Sequence, residues 1–411
     1  MASLDTARPV SARPRPALPR VYLVWLIGTR ASLLGDAVLY FALGWAASAH
    51  GGGMGALVLT AVTLPRTLLL LLGGAVGDRF GARRVMITGD AVMLTATLVL
   101  ALVGPRLGAS PWLLVMVAVV IGTVDAFYLP ATGSMPRRLV GKDQLPRALA
   151  MQQAGGQIAS LLGAPVGAVL VAAAGLTGAA VADAGTFAIV LVVLVCVRPA
   201  FDVERSPRGE GLLAGAVGGV RIAVGDPVLR PALLLTAAAA GLLLPVVSLL
   251  NPLLAREHGW GAGVAGLVAG GQSLGMIAVA LVVARRGTMG RIGRGAALGL
   301  CVSAPGITAV ALADTAAVAV AGGIVVGAGS GMFACHIGPL VLTNIPDTHL
   351  ARMQALLVLV QSLALVVGNN ALGALADAQG ATLAAVVCAV GVCAAGIVGL
   401  ALKPIRRLRQ E

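Results

Sequence analysis

Residues 73–84 read Gly73-Gly74-Ala75-Val76-Gly77-Asp78-Arg79-Phe80-Gly81-Ala82-Arg83-Arg84. One acid, three arginines and four glycines interrupt two long apolar runs. Gly73 and Gly77, four residues apart, allow two helices to approach closely. Asp78 suits the positive N-terminal end of another helix. Arg79, Arg83 and Arg84 suit an anionic lipid leaflet. A plain basic anchor at the membrane face explains the arginines and leaves Asp78 unexplained.

The apolar runs on either side of this segment are two of many. Of the 411 residues, 58% are hydrophobic and 11% charged, against about 25% charged in soluble domains. Aromatics are only 3%, so the apolar mass is Ala, Val, Leu and Gly, more than a polar shell covers in a soluble protein of this length. A helix needs roughly 20 residues to cross about 30 Å of hydrocarbon. Twelve runs meet that length: 21–47, 54–77, 84–104, 112–132, 147–174 and 177–198, then 228–254, 262–284, 295–313, 316–342, 351–376 and 380–402. Numbered in order, they are spans one to twelve. The short link at Gly175–Thr177 makes spans five and six antiparallel neighbours.

Charge placement orients the runs. Of 29 Lys and Arg, Arg30 and Arg66 lie inside runs, Arg106 and Arg256 lie in the loops of one face, and the remaining 25 lie on the other. The basic face is expected to be cytoplasmic, with both termini on it, as an even number of spans requires. The predicted fold is an all-α integral membrane protein of twelve transmembrane helices in two pseudo-symmetric six-helix bundles. Residues 1–20 form a basic tail, 21–198 the first bundle, 199–227 a linker whose stretch Gly211–Gly225 is amphipathic enough to lie on the membrane, 228–402 the second bundle and 403–411 a second tail. Residues 1–20 read as a disordered tail rather than a cleavable signal, because the apolar run after them is too long for a signal core. Six spans, a linker and six more imply an internal duplication.

Other classes are disfavoured. The net charge of +13 comes from short loop clusters with no basic helix face, unlike a nucleic-acid interface. Cys196, Cys301, Cys335, Cys388 and Cys393 all fall in apolar runs without metal-site or disulfide spacing. No phosphate-cradling Gly-x-x-x-x-Gly-Lys-Ser/Thr stretch occurs. Scattered His50, His258, His336 and His349 supply no enzyme-like cluster. No cofactor or metal is expected.

The 73–84 segment resembles the signature loop of the major facilitator superfamily in residue type, spacing and position after the second span. In that family the loop is a cytoplasmic latch, made in one transport state and broken in the other. The resemblance assigns the latch to Gly74, Asp78, Arg79, Gly81, Arg83 and Arg84. The corresponding loop of the second half, Ala284-Arg285-Arg286-Gly287 with Arg291 and Arg294, keeps the bases and has Ala284 in the place of Asp78. Further stretches resemble the drug and macrolide exporter-like branch: Arg30-Ala-Ser-Leu-Leu-Gly35-Asp36, Leu64-Pro65-Arg66, Phe127-Tyr128-Leu129-Pro130-Ala131, Asp183-Ala184-Gly185-Thr186-Phe187 and Asp226-Pro227. Two departures stand out. Ser160-Leu-Leu-Gly163-Ala164-Pro165-Val-Gly167 has Ala164 where exporters of the family commonly carry Gly, while Pro65, Gly163, Pro165 and Gly167 still provide kinks and close packing. Span four has Asp125 and no Arg, so a coupling scheme built on a span-four Arg does not carry over.

Ionisable groups inside spans face a cavity or a partner, because lipid exposure costs at least a few kcal/mol. Arg30, Asp36, Arg66, Asp90, Asp125 and Asp183 are such groups, all in the first half. By the helical rise, Arg30 lies about 13 Å and Arg66 about 17 Å from the basic face. They serve substrate and proton, or they are structural Arg–Asp locks. The structural reading is favoured for Arg66, Asp90 and Asp183, the functional one for Arg30, Asp36 and Asp125. Depth makes Arg30 with Asp125 the preferred pair. In the second half Asn251 and Gln361 are candidate substrate hydrogen-bonders. His336 reads as a packing residue. Gly323, Gly327 and Gly331 in span ten, and Gly266, Gly270, Gly271 and Gly275 in span eight, form small-residue rows.

The expected function is secondary active export of a hydrophobic or amphipathic small molecule by proton antiport, from a monomer in the bacterial cytoplasmic membrane with substrate, protons and lipids as partners. A proton-coupled importer is the alternative on the same fold, and a non-transporting scaffold or receptor the alternative of another class.

Overall fold

In the computed structural model, residues 18–108, 110–198, 201, 226, 229–343 and 350–402 are described. They are helical nearly throughout, with no strand among them. The tails, the 199–227 linker except two of its residues, and its amphipathic stretch fall outside the described residues. Span one is Arg20–Ala47, span two Gly52–Phe80, span three Ala82–Leu107 and span four Pro111–Ser134. Spans five and six share one helical stretch of 52 residues, Leu145–Cys196. Span seven is Leu229–Glu257, span eight Ala262–Arg286, span nine Ile292–Ala311, span ten Ala316–Thr343, span eleven Leu350–Gln379 and span twelve Ala381–Ala401.

Among the described residues, 11 helices are long and apolar enough to cross a membrane. The 52-residue one is broken at Gly175, whose φ of 65° and ψ of −164° are open to glycine and not to a helix interior. It therefore crosses twice, which restores the twelve. The polypeptide is a multi-pass integral membrane protein. Its outer surface is hydrocarbon: Ile27, Leu68, Leu102 and Val169 are 69%, 66%, 71% and 68% exposed. In water such a surface is an aggregation liability, in lipid it is solvated.

The 73–84 segment is less of a loop than its composition implies. Span two continues as helix to Phe80, span three starts at Ala82, and Gly81 (φ 89°) is the whole connection. Charge ended the hydrophobic window while the backbone hydrogen bonds went on. Asp78 and Arg79 therefore occupy the last turn of span two.

Small residues set the packing. A side chain at Gly73 meets the Ala126 carbonyl and one at Gly122 meets the Val62 carbonyl, so spans two and four touch backbone to backbone. Gly163 and Gly167 seat span five on Ala37 and Val38 of span one, and Gly35 and Gly28 seat span one on span six. The glycine rows of the second half divide their work. Gly271 and Gly275 of span eight interlock with Gly323, Gly327 and Gly331 of span ten. Gly266 and Gly270 face Ala168 and Pro165 of span five. The halves meet along two seams, span two with span eleven and span five with span eight.

Polar contacts also tie the halves together, several of them toward the face opposite the basic one, here the far face. The Asp377 carboxylate accepts from the backbone N–H of Gly52 at 2.5 Å and of Gly53 at 2.8 Å. The Arg256 guanidinium donates to Ser48 Oγ at 2.7 Å and to the Trp45 carbonyl at 2.8 Å, and it stacks on the Trp45 ring at 4.2 Å. Asn370 donates to Thr60 Oγ1 at 2.7 Å, and Ser273 to the Leu161 carbonyl at 2.8 Å.

Candidate substrate cavity and charged cluster

Two cavities lie between and beside the halves. One, of about 360 Å³, is lined by Tyr40, Phe41, Arg66, Ser160, Val247 and Ser248 among others. The second, of about 290 Å³, is lined by Leu243, Gln272, Met276, Phe333 and Gln361 among others, with no charged side chain. Val247 borders both. Span seven shapes the junction. It widens into π-helical turns at Ala239–Leu243 and Val246–Leu250, on either side of Pro245. Such turns are rare and concentrate at functional sites.

The charged corner is built on three helices. Tyr40 of span one donates its hydroxyl to Asp125 Oδ2 of span four at 2.7 Å. Arg66 of span two lies 3.9 Å from the same oxygen. Both ends of the pair are half-buried, at 35% and 25% exposure, and Arg66 and Tyr40 present the corner to the cavity. Pro65 precedes Arg66 inside span two; its missing N–H and its ring relax the helix at that turn.

The expected pairing of Arg30 with Asp125 is not what the structure shows. Asp125 goes to Arg66 and Tyr40, while Arg30 lies over Gly155 and Gly156 of span five and donates to the Gln152 carbonyl at 3.4 Å. Depth fixed the height of each group and left its azimuth around the helix undetermined. Arg66, expected as an Arg–Asp lock, does pair with Asp125 across spans two and four, and it also lines the cavity. Asn251 is turned the other way: it is buried and its amide donates to the Ala265 carbonyl at 2.9 Å, tying span seven to span eight. Gln361 lines the second cavity.

Behind the corner is a buried acidic group. Asp90 and Asp183 are fully buried. Asp90 accepts from the Tyr128 hydroxyl at 3.3 Å, and Asp183 Oδ1 is 3.3 Å from Thr186 Oγ1. One oxygen of each, Asp90 Oδ1 and Asp183 Oδ2, has no hydrogen-bond partner, and neither has Arg30 Nε. Asp36 follows Gly35, the span-one position against which Asp183 and Thr186 pack. Two of the chain's three tyrosines, Tyr40 and Tyr128, donate to Asp125 and Asp90, while Tyr22 donates to the Ala148 carbonyl. Sequence reading missed them as site residues. Their placement in spans one and four, which also carry Asp36 and Asp125, was the available signal.

Of the residues expected to form a latch, Arg83 is the most firmly placed. Its guanidinium donates to the Leu194 and Val195 carbonyls at 2.8 Å each, capping the end of span six. The Arg79 guanidinium lies over the Phe80 ring at 5.4 Å, and Arg84 is exposed. No atom lies within 4 Å of a Cβ built at Gly74 or Gly81. The Asp78 side chain falls outside what is described. In the loop of the second half, His336 binds as a packing residue should: one ring nitrogen contacts the Met332 carbonyl at 2.7 Å and Nε2 accepts from the Met289 N–H at 3.0 Å.

The chain is 28% identical over 231 residues to the multidrug efflux pump Tap of Mycolicibacterium fortuitum, a match over 53% of this chain and 56% of that protein. It therefore spans little more than half the length of that relative. Over 285 residues it is 27% identical to the multidrug efflux pump Tap of Mycobacterium bovis, covering 64% of this chain and 67% of the relative. Among solved structures, the nucleoside transporter NupG superposes with a TM-score of 0.73 at 12% identity, over 93% of this chain and 99% of the other. A bacterial homolog of the human lysosomal transporter Spinster gives 0.69 at 14% identity, over 96% and 100%. At these identities the structural likeness concerns the fold. The sequence profile of the Major Facilitator Superfamily matches residues 25–368. With that match across most of its length, twelve spans and the fold of solved transporters, the chain belongs to the Major Facilitator Superfamily.

Proposed function

We propose that this transporter exports a hydrophobic or amphipathic small molecule by proton antiport. The observation that carries the reading is the asymmetry of the cavities. A single charged corner, Tyr40–Asp125–Arg66, borders one cavity, and the other is lined by apolar side chains and by neutral hydrogen-bonders such as Gln272 and Gln361. A largely apolar surround with few polar anchors suits an amphipathic ligand. The efflux-pump names of the sequence relatives agree with the outward direction.

Proton coupling draws on the charge count. Four carboxylates, Asp36, Asp90, Asp125 and Asp183, share the interior of the first half with two guanidiniums, Arg30 and Arg66. Such an excess is balanced in low dielectric by bound protons or by a cationic ligand. The basic face is cytoplasmic on this reading, and the seams closed toward the far face correspond to a state that loads from inside. The Asp78 latch holds the opposite state. The protein works as a monomer, with its basic loops on anionic lipid.

The test is accumulation of ethidium, a hydrophobic cationic dye, in energised cells with and without the protein. Export lowers the cellular dye, and collapse of the proton gradient abolishes the difference. Higher dye in cells making the protein identifies an importer and overturns the proposal.

A further inference from the structure

Asp183 is a fully buried acid in the middle of span six, with one carboxylate oxygen lacking any partner. No arginine pairs with it among the described residues, so the Arg–Asp lock expected for it is not formed. Its other oxygen packs against the open backbone at Gly35 of span one, together with Thr186 Oγ1. The next residue of span one is Asp36, so the two acids sit at the same level of two packed helices. A lone buried carboxylate beside a second one is a poor structural device, because neither charge offsets the other.

The arrangement continues toward the cavity. Tyr40 is one turn beyond Asp36 on the same face of span one, and its hydroxyl donates to Asp125 at 2.7 Å. Groups able to carry or pass a proton thus run Asp183, Asp36, Tyr40, Asp125, ending at the corner where Arg66 meets the cavity. The other titratable groups around the pair are Asp90 of span three and Tyr128 of span four, while Arg30 of span one is turned to Gln152 and Gly155 of span five.

We infer that Asp183 and Asp36 form a proton-binding site in the wall of the first half, separate from the substrate corner at Asp125–Arg66 and joined to it through Tyr40. The unpartnered Asp183 Oδ2, closed to solvent, accommodates a proton. The inference rests on the antiport reading and adds the place where the transported proton resides. Substrate and proton then need not compete for one carboxylate. They communicate by a change in the Tyr40–Asp125 hydrogen bond.

The test has two arms, both on the full chain in liposomes. Infrared difference spectra between acidic and alkaline buffer should show the C=O stretch of a protonated carboxylic acid, lost in Asp183→Asn. An unchanged band in that variant overturns the site. Ethidium exchange driven by an imposed pH gradient should lose its drive in Asp183→Asn, in a protein that keeps the parent's elution profile on detergent chromatography. Full gradient-driven exchange in the variant overturns the inference. So does a sodium gradient that replaces the proton gradient in the parent and not in the variant. A parent that ignores the pH gradient yet keeps the Asp183 band refutes antiport and leaves proton binding standing. Should Asp183→Asn fail to fold, Asp36→Asn takes its place: removing the neighbouring acid must shift the Asp183 band, and an unmoved band overturns the pairing.

Discussion

Asp125 and Arg66 are placed so that each compensates the other within the membrane, with Tyr40 supplying a further hydrogen bond to the acid. Truncating one member of such a pair leaves its partner uncompensated, typically a loss of about 3–5 kcal/mol where burial is complete and less at this half-open site. Asp125→Ala is therefore expected to lower ethidium export by roughly tenfold or more, with membrane insertion retained, as export assays and detergent chromatography would register. Tyr40→Phe removes a hydrogen bond to a charge and should cost less, about 1.5–3 kcal/mol at most; a loss equal to that of Asp125→Ala would show that the hydroxyl is part of the transport step. The sequence made each of these ionisable residues visible and paired them wrongly. Residues advance about 100° per step around a helix, so Arg30 and Asp36 point about 120° apart around span one. No count of residues says which neighbour lies on which side. The tyrosines were overlooked because a phenol in a span attracts no suspicion until an acid is found beside it.

At the level of helices, length and apolarity located the spans, and the unexpected features were at their ends and at one widened turn. Span two begins Gly51-Gly52-Gly53 and span twelve begins Gly380-Ala381-Thr382, with no local side-chain cap. Their free N–H groups had to be satisfied from elsewhere. Asp377 supplies the first across the seam between halves, and Glu257 Oε2 supplies the second, accepting from Ala381 N–H at 2.7 Å. An uncapped glycine start was thus a legible sign of a missing partner, though not of its identity. Asp377→Ala should cost about 1 kcal/mol, as loss of a helix cap does, and should loosen the far-face closure. A cysteine at Gly44, which lines the larger cavity, should then react faster with a membrane-impermeant thiol reagent applied from that face; an unchanged rate would separate the cap from the gate. The spans eight–ten seam makes a different demand. Gly327 lies against the backbone of Gln272, and Gly327→Val should destabilise the fold by about 1–3 kcal/mol or more through overpacking, seen as a lower melting temperature in detergent. The π-turns of span seven have no counterpart in hydrophobic pattern, since an extra residue per turn leaves an all-apolar run looking the same.

The whole molecule was legible for one reason: lipid permits few architectures, and basic residues in alternate loops count the crossings. The arrangement of the halves was not, because it depends on which glycine row faces which neighbour. Two expectations belong to this scale. Asp78→Asn should slow export on the order of tenfold, the size of a typical coupling between states, in a protein that still folds and inserts; parental rates would remove the latch assignment. A cysteine replacing Arg406 should be labelled by an impermeant reagent only in inside-out vesicles, if the basic face is cytoplasmic.

Spans five and six turn on Gly175 alone, with no flexible linker between them. That hairpin carries the inter-half seam on one arm, where Pro165 and Ala168 face Gly270 and Gly266, and Asp183 on the other. Whatever slides span five along span eight must crank span six in the same stroke. The carboxylate would be carried past Gly35 by the motion that opens the cavity, giving the protein a mechanical timing link between access and the state of a buried acid.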